Sequence, residues 1–436
     1  MFGYYLRLGT ASLRRTPVIT ALMVLAIGLG IGASMTMITV LHVMSGDPMP
    51  EKSGAIFYPH LDPTPLDSPD DDQYGAANDF TCPDAMAMLE HGPAAHQAAM
   101  AGGSLLVRPE SNDKQPFYSD GRYTTPDFFS MFGVPMLEGT GWSAADETAR
   151  ARVTVLSKKL ATRLFGSAHA VGRSVRFQDT DFRVIGVTAD WRLHPKFYTG
   201  YSYSMFGDPD GYFVPLHTAL ELKFGVNGNV DCWGDADSDA MYTSPACTWL
   251  QVWVELNDPA AVAAYAQFLN GYSAEQKKAG RFQRPPSSAR LDGLLPWLRA
   301  KKLVPEDVQL QLWLALGFLA VCLTNIVCLL LAKFLRRRGE ISVRRALGAR
   351  RRDIFIQFCV EAGLIGLSGG LLGLLLAQLG LWSVRQRPDD YAQLARMDLP
   401  LLLGTLGLAV GASLLAGIVP AWRASGEAPA ALLKAQ

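Results

Sequence analysis

Four stretches of the chain contain no Asp, Glu, Lys or Arg: Thr16–Gly46, Val308–Ala332, Ala362–Val384 and Leu399–Trp422. They run for 31, 25, 23 and 24 residues and are rich in Leu, Ala and Gly. About 20 apolar residues in a helix cross a hydrocarbon layer of about 30 Å. Backbone groups in lipid must find partners within their own segment, so each stretch predicts a membrane-spanning helix. The first is longer than the roughly 7–15 apolar residues of a signal-peptide core, and no clear A-x-A cleavage site follows it. It therefore reads as a retained anchor.

Between the first two stretches the pattern changes. Asp47–Asp307 mixes short apolar runs with many turn residues. "ARVTVLSKKLATRLFG" (Ala151–Gly166) predicts a strand running into an amphipathic helix. "GRSVRFQDTDFRVIGVTAD" (Gly172–Asp190) alternates on either side of a tight turn and predicts a hairpin. "TWLQVWVEL" (Thr248–Leu256) predicts another strand. In "DPAAVAAYAQFLNGYSAEQ" (Asp258–Gln276), Asp258 reads as the N-cap and Pro259 as the first residue of a helix. "DPTPLDSPDDDQYG" (Asp62–Gly75) is an acidic, Pro-rich loop. The sum predicts an α+β domain, with room for two lobes.

Composition fits a chain divided between lipid and water. Hydrophobic residues make up 49 %, and 40 basic residues balance 40 acidic ones. Neutrality argues against a nucleic-acid binder, which would carry net positive charge. Basic residues are instead local. "RRRGEISVRRALGARRRDI" (Arg336–Ile354) has eight arginines and two acids. Arg7, Arg14 and Arg15 precede the first apolar stretch, and Arg423 and Lys434 follow the fourth. Short loops rich in Lys and Arg stay in the cytoplasm, so both termini and the arginine run are expected inside, with Asp47–Asp307 outside.

The expected partition is a cytoplasmic segment 1–16, a first helix 17–44, an outer domain 45–307 and a second helix 308–333. A cytoplasmic loop with a short helix follows at 334–358, then a third helix 359–384, an outer loop 385–398, a fourth helix 399–422 and a cytoplasmic tail 423–436. Within the arginine run, Val343, Ala346 and Leu347 share one face at i, i+3, i+4. Arg344 and Arg345 point elsewhere, and Gly348 ends the turn as a C-cap. Gly28-x-x-x-Gly32, Gly366-x-x-x-Gly370, Gly369-x-x-x-Gly373 and Gly407-x-x-x-Gly411 predict close helix packing. Cys232 and Cys247 bracket a polar loop on the oxidising side and are a candidate disulfide. Cys82 is left over, and Cys322, Cys328 and Cys359 lie in or beside spanning helices.

No nucleophile–base constellation, C-x-x-C or H-E-x-x-H occurs, so neither a catalytic site nor a metal is expected. "GSAHAVGRS" (Gly166–Ser174) fails as a phosphate loop on spacing and on Arg173 in place of lysine. "LSGGL" (Leu367–Leu371) resembles an ATPase signature but lies within the third apolar stretch.

"EISVRRALGARRRDIFIQFCVEAGLIGLSGGLLGLLLA" (Glu340–Ala377) closely resembles the cytoplasmic loop and third helix of MacB/FtsX-type ABC transporter permeases, of the type VII ABC superfamily. "GIVPAWRASGEAPAALL" (Gly417–Leu433) looks like the end of the same domain. "YTTPDFFSMFGVPMLEGTGWSAADE" (Tyr123–Glu147) and "VTVLSKKLATRLFGSAHAVGRSVRF" (Val153–Phe177) are similar to the MacB-type periplasmic core, and "LRLGTASLRRTPVITALMVLAIGLGIGA" (Leu6–Ala33) fits the first helix. The segment Trp191–Asp239 departs from the pattern.

The resemblance implies a bacterial inner-membrane permease with four spanning helices and a large periplasmic domain between the first two. It implies pairing with a second permease, identical or paralogous, through the first and second helices. Cytoplasmic ABC ATPases would grip the short helix, with Glu340, Val343, Arg344, Arg345, Ala346, Leu347 and Gly348 as the coupling residues. ATP and Mg would be bound by the ATPase and not by this chain, which carries no P-loop and begins about 16 residues before its first helix. The ATPase is therefore expected on a separate chain. Efflux or release of a drug, peptide or lipid-linked substrate, with a periplasmic adaptor, is the implied function. Lipoprotein release and FtsX-like control of cell-wall hydrolases are the alternatives, although FtsX-type outer domains are much smaller than this one.

Overall fold

The computed structural model describes residues 2–67, 79–109, 115–199, 205–228, 230–233, 240–301, 306–386, 397 and 399–425. Most of the expected outer loop 385–398, the tail from 426 onward, and residues 68–75 of the acidic loop lie outside these. The chain divides into two compact units, one formed by 1–45 with 304–436 and the other by 46–303.

The inserted unit is built on one mixed sheet. From edge to edge its main path runs Arg290–Gly293, Ile56–His60, Cys247–Glu255, His96–Arg108, Phe117–Thr124, Tyr212–Pro215, Val153–Ser157, Thr180–Thr188 and Met136–Gly139. Most neighbours are antiparallel, but Phe117–Thr124 with Tyr212–Pro215 and Val153–Ser157 with Thr180–Thr188 are parallel. Successive residues on a strand face opposite sides. Ala99, Ala101, Val252 and Val254 enter one core, while Ala98, Met100 and Trp253 enter another. Both faces of the sheet are thus covered, which is why Cys247–Glu255 is buried along its whole length. The two cores are the two faces of a single sheet, not two lobes.

Local signals set the ends of the elements. The Asp258 carboxylate accepts the Ala261 N–H at 2.8 Å and starts the helix Pro259–Lys278. Ser157 caps Lys158–Phe165 by accepting from the Leu160 N–H, and Gly166 closes that helix in the left-handed region. The hairpin pairs Ser174–Phe177 with Thr180–Thr188.

Cys232 and Cys247 face each other across an antiparallel pair and are joined in a disulfide. Closing a loop of this length, 15 residues in sequence, removes about 3 kcal/mol of chain entropy from the unfolded state. Cys232→Ser with Cys247→Ser should therefore lower the stability of the domain by about 3 kcal/mol. Denaturant unfolding of the two proteins measures this, and coincident midpoints would show that the bridge contributes nothing.

The other unit is helical: Phe2–Arg15, Pro17–Ser45, Glu306–Leu335, Arg338–Ala346, Arg351–Arg385 and Leu399–Ser425. Four of these are long and apolar enough to cross a membrane. Two elements differ from the sequence-based expectation. Residues 2–15 form an amphipathic helix with Gly9, Ser12 and Leu13 turned to the bundle and Arg7, Arg14 and Arg15 exposed. The third spanning helix begins at Arg351, ahead of the expected boundary at 359. Its first turns are apolar on the inner side through Ile354 and Phe358, and the Asp353 carboxylate accepts the Arg350 N–H at 3.2 Å.

Glycines let the first, third and fourth spanning helices approach closely. A Cβ on Gly28 or Gly32 would stand 2.8 Å from Leu372 or Leu376, and one on Gly369 would meet Ile27. Gly373 lies against Ile31 and the Gly28 carbonyl, Gly366 against Ser413 and Gly370 against Ala409. Gly407 and Gly411 do not pack in this way: among the described residues nothing lies within 4 Å of a Cβ placed on either. The fourth helix instead turns Ala409, Ser413 and Gly417, four residues apart, toward the third. An alanine, a serine and a single glycine supply that stripe.

Candidate functional site

The polypeptide leaves the second spanning helix at Leu335, turns, and forms the nine-residue helix Arg338–Ala346 before entering the third at Arg351. Gly348, at φ +100, makes the second turn. The Ala349 N–H reaches the Arg344 carbonyl at 3.0 Å, the long bond of a Schellman ending, which requires a left-handed residue at the position Gly348 holds.

The short helix has two unlike faces. Its inner face carries Arg337, Ile341 and Arg344, at i, i+4, i+7. Ile341 packs on the core of the bundle. Arg344 donates to Glu340 Oε1 at 2.6 Å and to Gln357 Oε1 of the third spanning helix at 3.0 Å. Both of its partners therefore lie within this chain. Glu340 is occupied in the same contact. The reason is helical geometry: 344 lies one turn from 340 and three residues from 341, so it shares the face anchored on the bundle.

The outer face carries Val343 and Leu347. Val343 is 60 % exposed and Leu347 83 % exposed. Two branched apolar side chains thus stand in the open, one turn apart, on a helix fixed by polar contacts behind it. The side chains of Arg345 and Ala346 lie outside the described residues.

A second group was not foreseen from the sequence. Lys333 closes the second apolar stretch and Glu361 precedes the third, and each marks an edge of a charge-free region. The structure brings them together inside the bundle, with Lys333 Nζ 2.5 Å from Glu361 Oε1. Nothing in local spacing pairs residues so far apart. The available signal was that both fall within helices, inside the membrane-facing unit, where an unpaired charge is costly.

In the inserted domain the buried polar groups are structural in geometry. Glu147 accepts from the Trp142 indole N–H at 2.7 Å and from the His217 backbone N–H at 2.8 Å. Asp210 sits between Arg122 and Lys196. Burial raises the Asp210 carboxyl, but the two cations outweigh it and hold the group below the usual carboxylate range.

The second spanning helix presents a further apolar face, with Leu310, Trp313, Leu314, Phe318 and Val321 exposed at helical spacing.

The family profile described as the MacB-like periplasmic core domain matches residues 20–271, and that of the FtsX-like permease C-terminal region matches residues 313–429. The pyoverdine export ATP-binding/permease protein PvdT of Pseudomonas entomophila is 27 % identical over 354 residues, covering 79 % of this chain and 47 % of that protein. The macrolide export ATP-binding/permease protein MacB of Bdellovibrio bacteriovorus is 28 % identical over 262 residues, covering 60 % of this chain and 34 % of that protein. Among solved structures, the periplasmic region of MacB from Actinobacillus actinomycetemcomitans matches with a TM-score of 0.36 and 12 % identity, over 56 % of this chain and 92 % of that one. The chain spans about half the length, or less, of these curated relatives.

Proposed function

The chain belongs to the MacB/FtsX-type permeases of ABC transporters, and on that premise we propose that it transmits the work of a cytoplasmic ABC ATPase to its periplasmic domain for export. The observation that carries this reading is the helix Arg338–Ala346. It follows directly on a spanning helix, is anchored on the bundle by Ile341 and Arg344, and offers Val343 and Leu347 to a partner. Apolar anchors on a rigid helix suit a groove on another protein. A push on this helix is delivered to the base of the second spanning helix, one turn away.

The apolar face at Leu310, Trp313, Leu314, Phe318 and Val321 supports pairing with a second permease. The relatives' names speak of pyoverdine and macrolide export, so a substrate taken up on the periplasmic side, with an adaptor protein, is the reading adopted for this chain. ATP and Mg belong to the ATPase.

Reconstitution with an ABC ATPase tests the proposal. The permease should hold the ATPase through purification and raise its ATP hydrolysis when an exported compound is added. A chain that engages no ABC ATPase would refute it.

Orientation is tested separately. The basic segments support a cytoplasmic position for both termini. A cysteine at Asp179, whose side chain is 92 % exposed, should react with an impermeant maleimide in intact cells. One at the exposed Arg351 should react only after the membrane is opened. Labelling of position 351 in intact cells would reverse the topology.

A further inference from the structure

The contact between Lys333 and Glu361 is part of a larger cluster. The two side chains are 1 % and 0 % exposed. Ser12 of the N-terminal helix donates to Glu361 Oε1 at 2.6 Å. Arg337 Nη1 donates to Ser12 Oγ at 2.5 Å and lies 3.6 Å from Glu361 Oε2. One carboxylate on the third spanning helix is therefore held by two cations from the end of the second and by a hydroxyl from the N-terminal helix. Packing around it is close: Phe334 stacks on Phe358 with ring centroids 3.9 Å apart, and Gly9 admits the side chain of Leu364.

Stability alone does not account for this arrangement. Replacing a buried ion pair by apolar residues of similar size is often neutral or stabilising. What the ion pair adds is direction. Apolar ridges can slide past one another at little cost. A carboxylate gripped from two other helices cannot slide without stranding charges in a low-dielectric interior. Arg337 also stands one residue before the helix Arg338–Ala346, so the cluster sits where force applied to that helix enters the bundle.

We propose that Glu361 is a positioning residue, an ionic pin that makes the N-terminal helix, the end of the second spanning helix and the third spanning helix move as one body. Displacement of the helix Arg338–Ala346 then reaches the third spanning helix and the N-terminal helix as well as the second. This extends the permease reading and rests on it for its mechanical consequence. The geometric core of the inference, that the three elements are locked together, can be tested without a partner.

Glu361→Gln alone strands two cations and is expected to misfold. The decisive variant is Lys333→Met with Glu361→Met, which removes the two fully buried charges at similar volume and leaves only Arg337, whose side chain is 16 % exposed and can turn to water; it should unfold no earlier than the parent. Nitroxides are placed at the exposed Arg7 and Arg336, each changed to Cys, after replacement of the free cysteines Cys82, Cys322, Cys328 and Cys359. Dipolar EPR in lipid nanodiscs then reads the distance between the N-terminal helix and the second spanning helix. The parent should give one narrow distance, unchanged when ATP and the partner ATPase are added. The doubly neutral variant should give a broadened distribution even without nucleotide, and Ser12→Ala an intermediate one.

In the reconstituted complex the doubly neutral variant should still bind the ATPase, because Val343 and Leu347 are untouched. Its substrate-stimulated ATP hydrolysis should fall roughly 5-fold or more, the lower end of a typical coupling between sites. A parent distance that shifts with ATP overturns the pin, and so does a doubly neutral variant with a narrow distance and full stimulation. If no ABC ATPase binds the parent, the permease reading fails, while the two nucleotide-free distances still decide for or against the lock.

Discussion

Leu347→Asp should abolish docking of the partner ATPase while leaving the permease folded and correctly inserted. The expected loss is about 3 kcal/mol of binding energy, about a hundredfold or more in affinity, as for a central apolar anchor replaced by a charge. Leu347 is 83 % exposed in the chain by itself, so an aspartate there is solvated and costs the free permease little, at most about 1 kcal/mol for a negative charge at a helix C-terminus. In the complex the same carboxylate would be buried without a partner, which is expensive. Every arginine of the loop remains, so the charge asymmetry that sets topology is unchanged. Val343→Asp, one turn away on the same face, should act in the same direction. Arg344→Ala should behave differently. It removes the bonds to Glu340 and Gln357, loosens the short helix from the bundle, and should lower thermal stability along with coupling. Affinity measured by co-purification and by titration of ATPase activity separates the two cases. If Leu347→Asp binds and stimulates the ATPase as the parent does, the docking face lies elsewhere.

The division between what was legible in the sequence and what was not follows from the range of the interactions. The spanning helices could be read because lipid imposes one rule over more than twenty consecutive residues: no charge. The short helix and its ending at Gly348 could be read because i, i+3, i+4 spacing and a left-handed glycine are local properties. The disulfide was readable from the small loop between its cysteines and from the side of the membrane expected for the segment that carries them. Local spacing fails when the question is which face of a helix meets which neighbour. Val343 and Arg344 are adjacent in sequence, yet one is open to solvent and the other is tied to Gln357. Gly407 and Gly411 have the spacing of a packing motif, yet among the described residues nothing lies within 4 Å of a Cβ placed on either, while Ala409 and Ser413 take the contact. Ser12 and Glu361 are 349 positions apart, and no periodicity in either segment connects them. The same holds in the inserted domain, where Arg122 and Asp210 are 88 positions apart.

That last pair gives a second large expected effect. Arg122 lies on the central strand Phe117–Thr124, with its guanidinium inside the domain. Its Nε donates to Asp210 Oδ2 at 2.9 Å, and both side chains are 1 % exposed. Its Nη1 donates to the Tyr198 carbonyl at 3.2 Å, and the guanidinium stands 4.7 Å from the Tyr198 ring centroid. Lys196, also buried, lies 3.9 Å from the other Asp210 oxygen. Arg122→Met keeps most of the volume and removes the main counter-charge. Breaking a buried ion pair on one side costs about 3–5 kcal/mol, because the remaining charge is left in the interior. The pH dependence identifies the source. Burial pushes the Asp210 carboxyl up, but Arg122 and Lys196 together hold it below its ordinary range. A carboxylate with a depressed folded-state pKa contributes stability above the unfolded value, near 4, and that contribution is lost as pH falls through the folded value. In the Arg122→Met protein the opposing burial effect dominates, so protonation at low pH relieves the strain instead of removing a favourable contact. The stability gap between parent and variant should therefore be largest at neutral pH, begin to shrink as the pH falls through the variant's raised Asp210 value, and shrink further below about 4, where the parent loses its own contribution. Adding Asp210→Asn to Arg122→Met should recover part of the loss at pH 7, since no buried anion then remains at that position. Urea unfolding of the purified proteins at both pH values measures the gap directly, and a gap of the same size at pH 7 and at acid pH would mean that Asp210 is not its source.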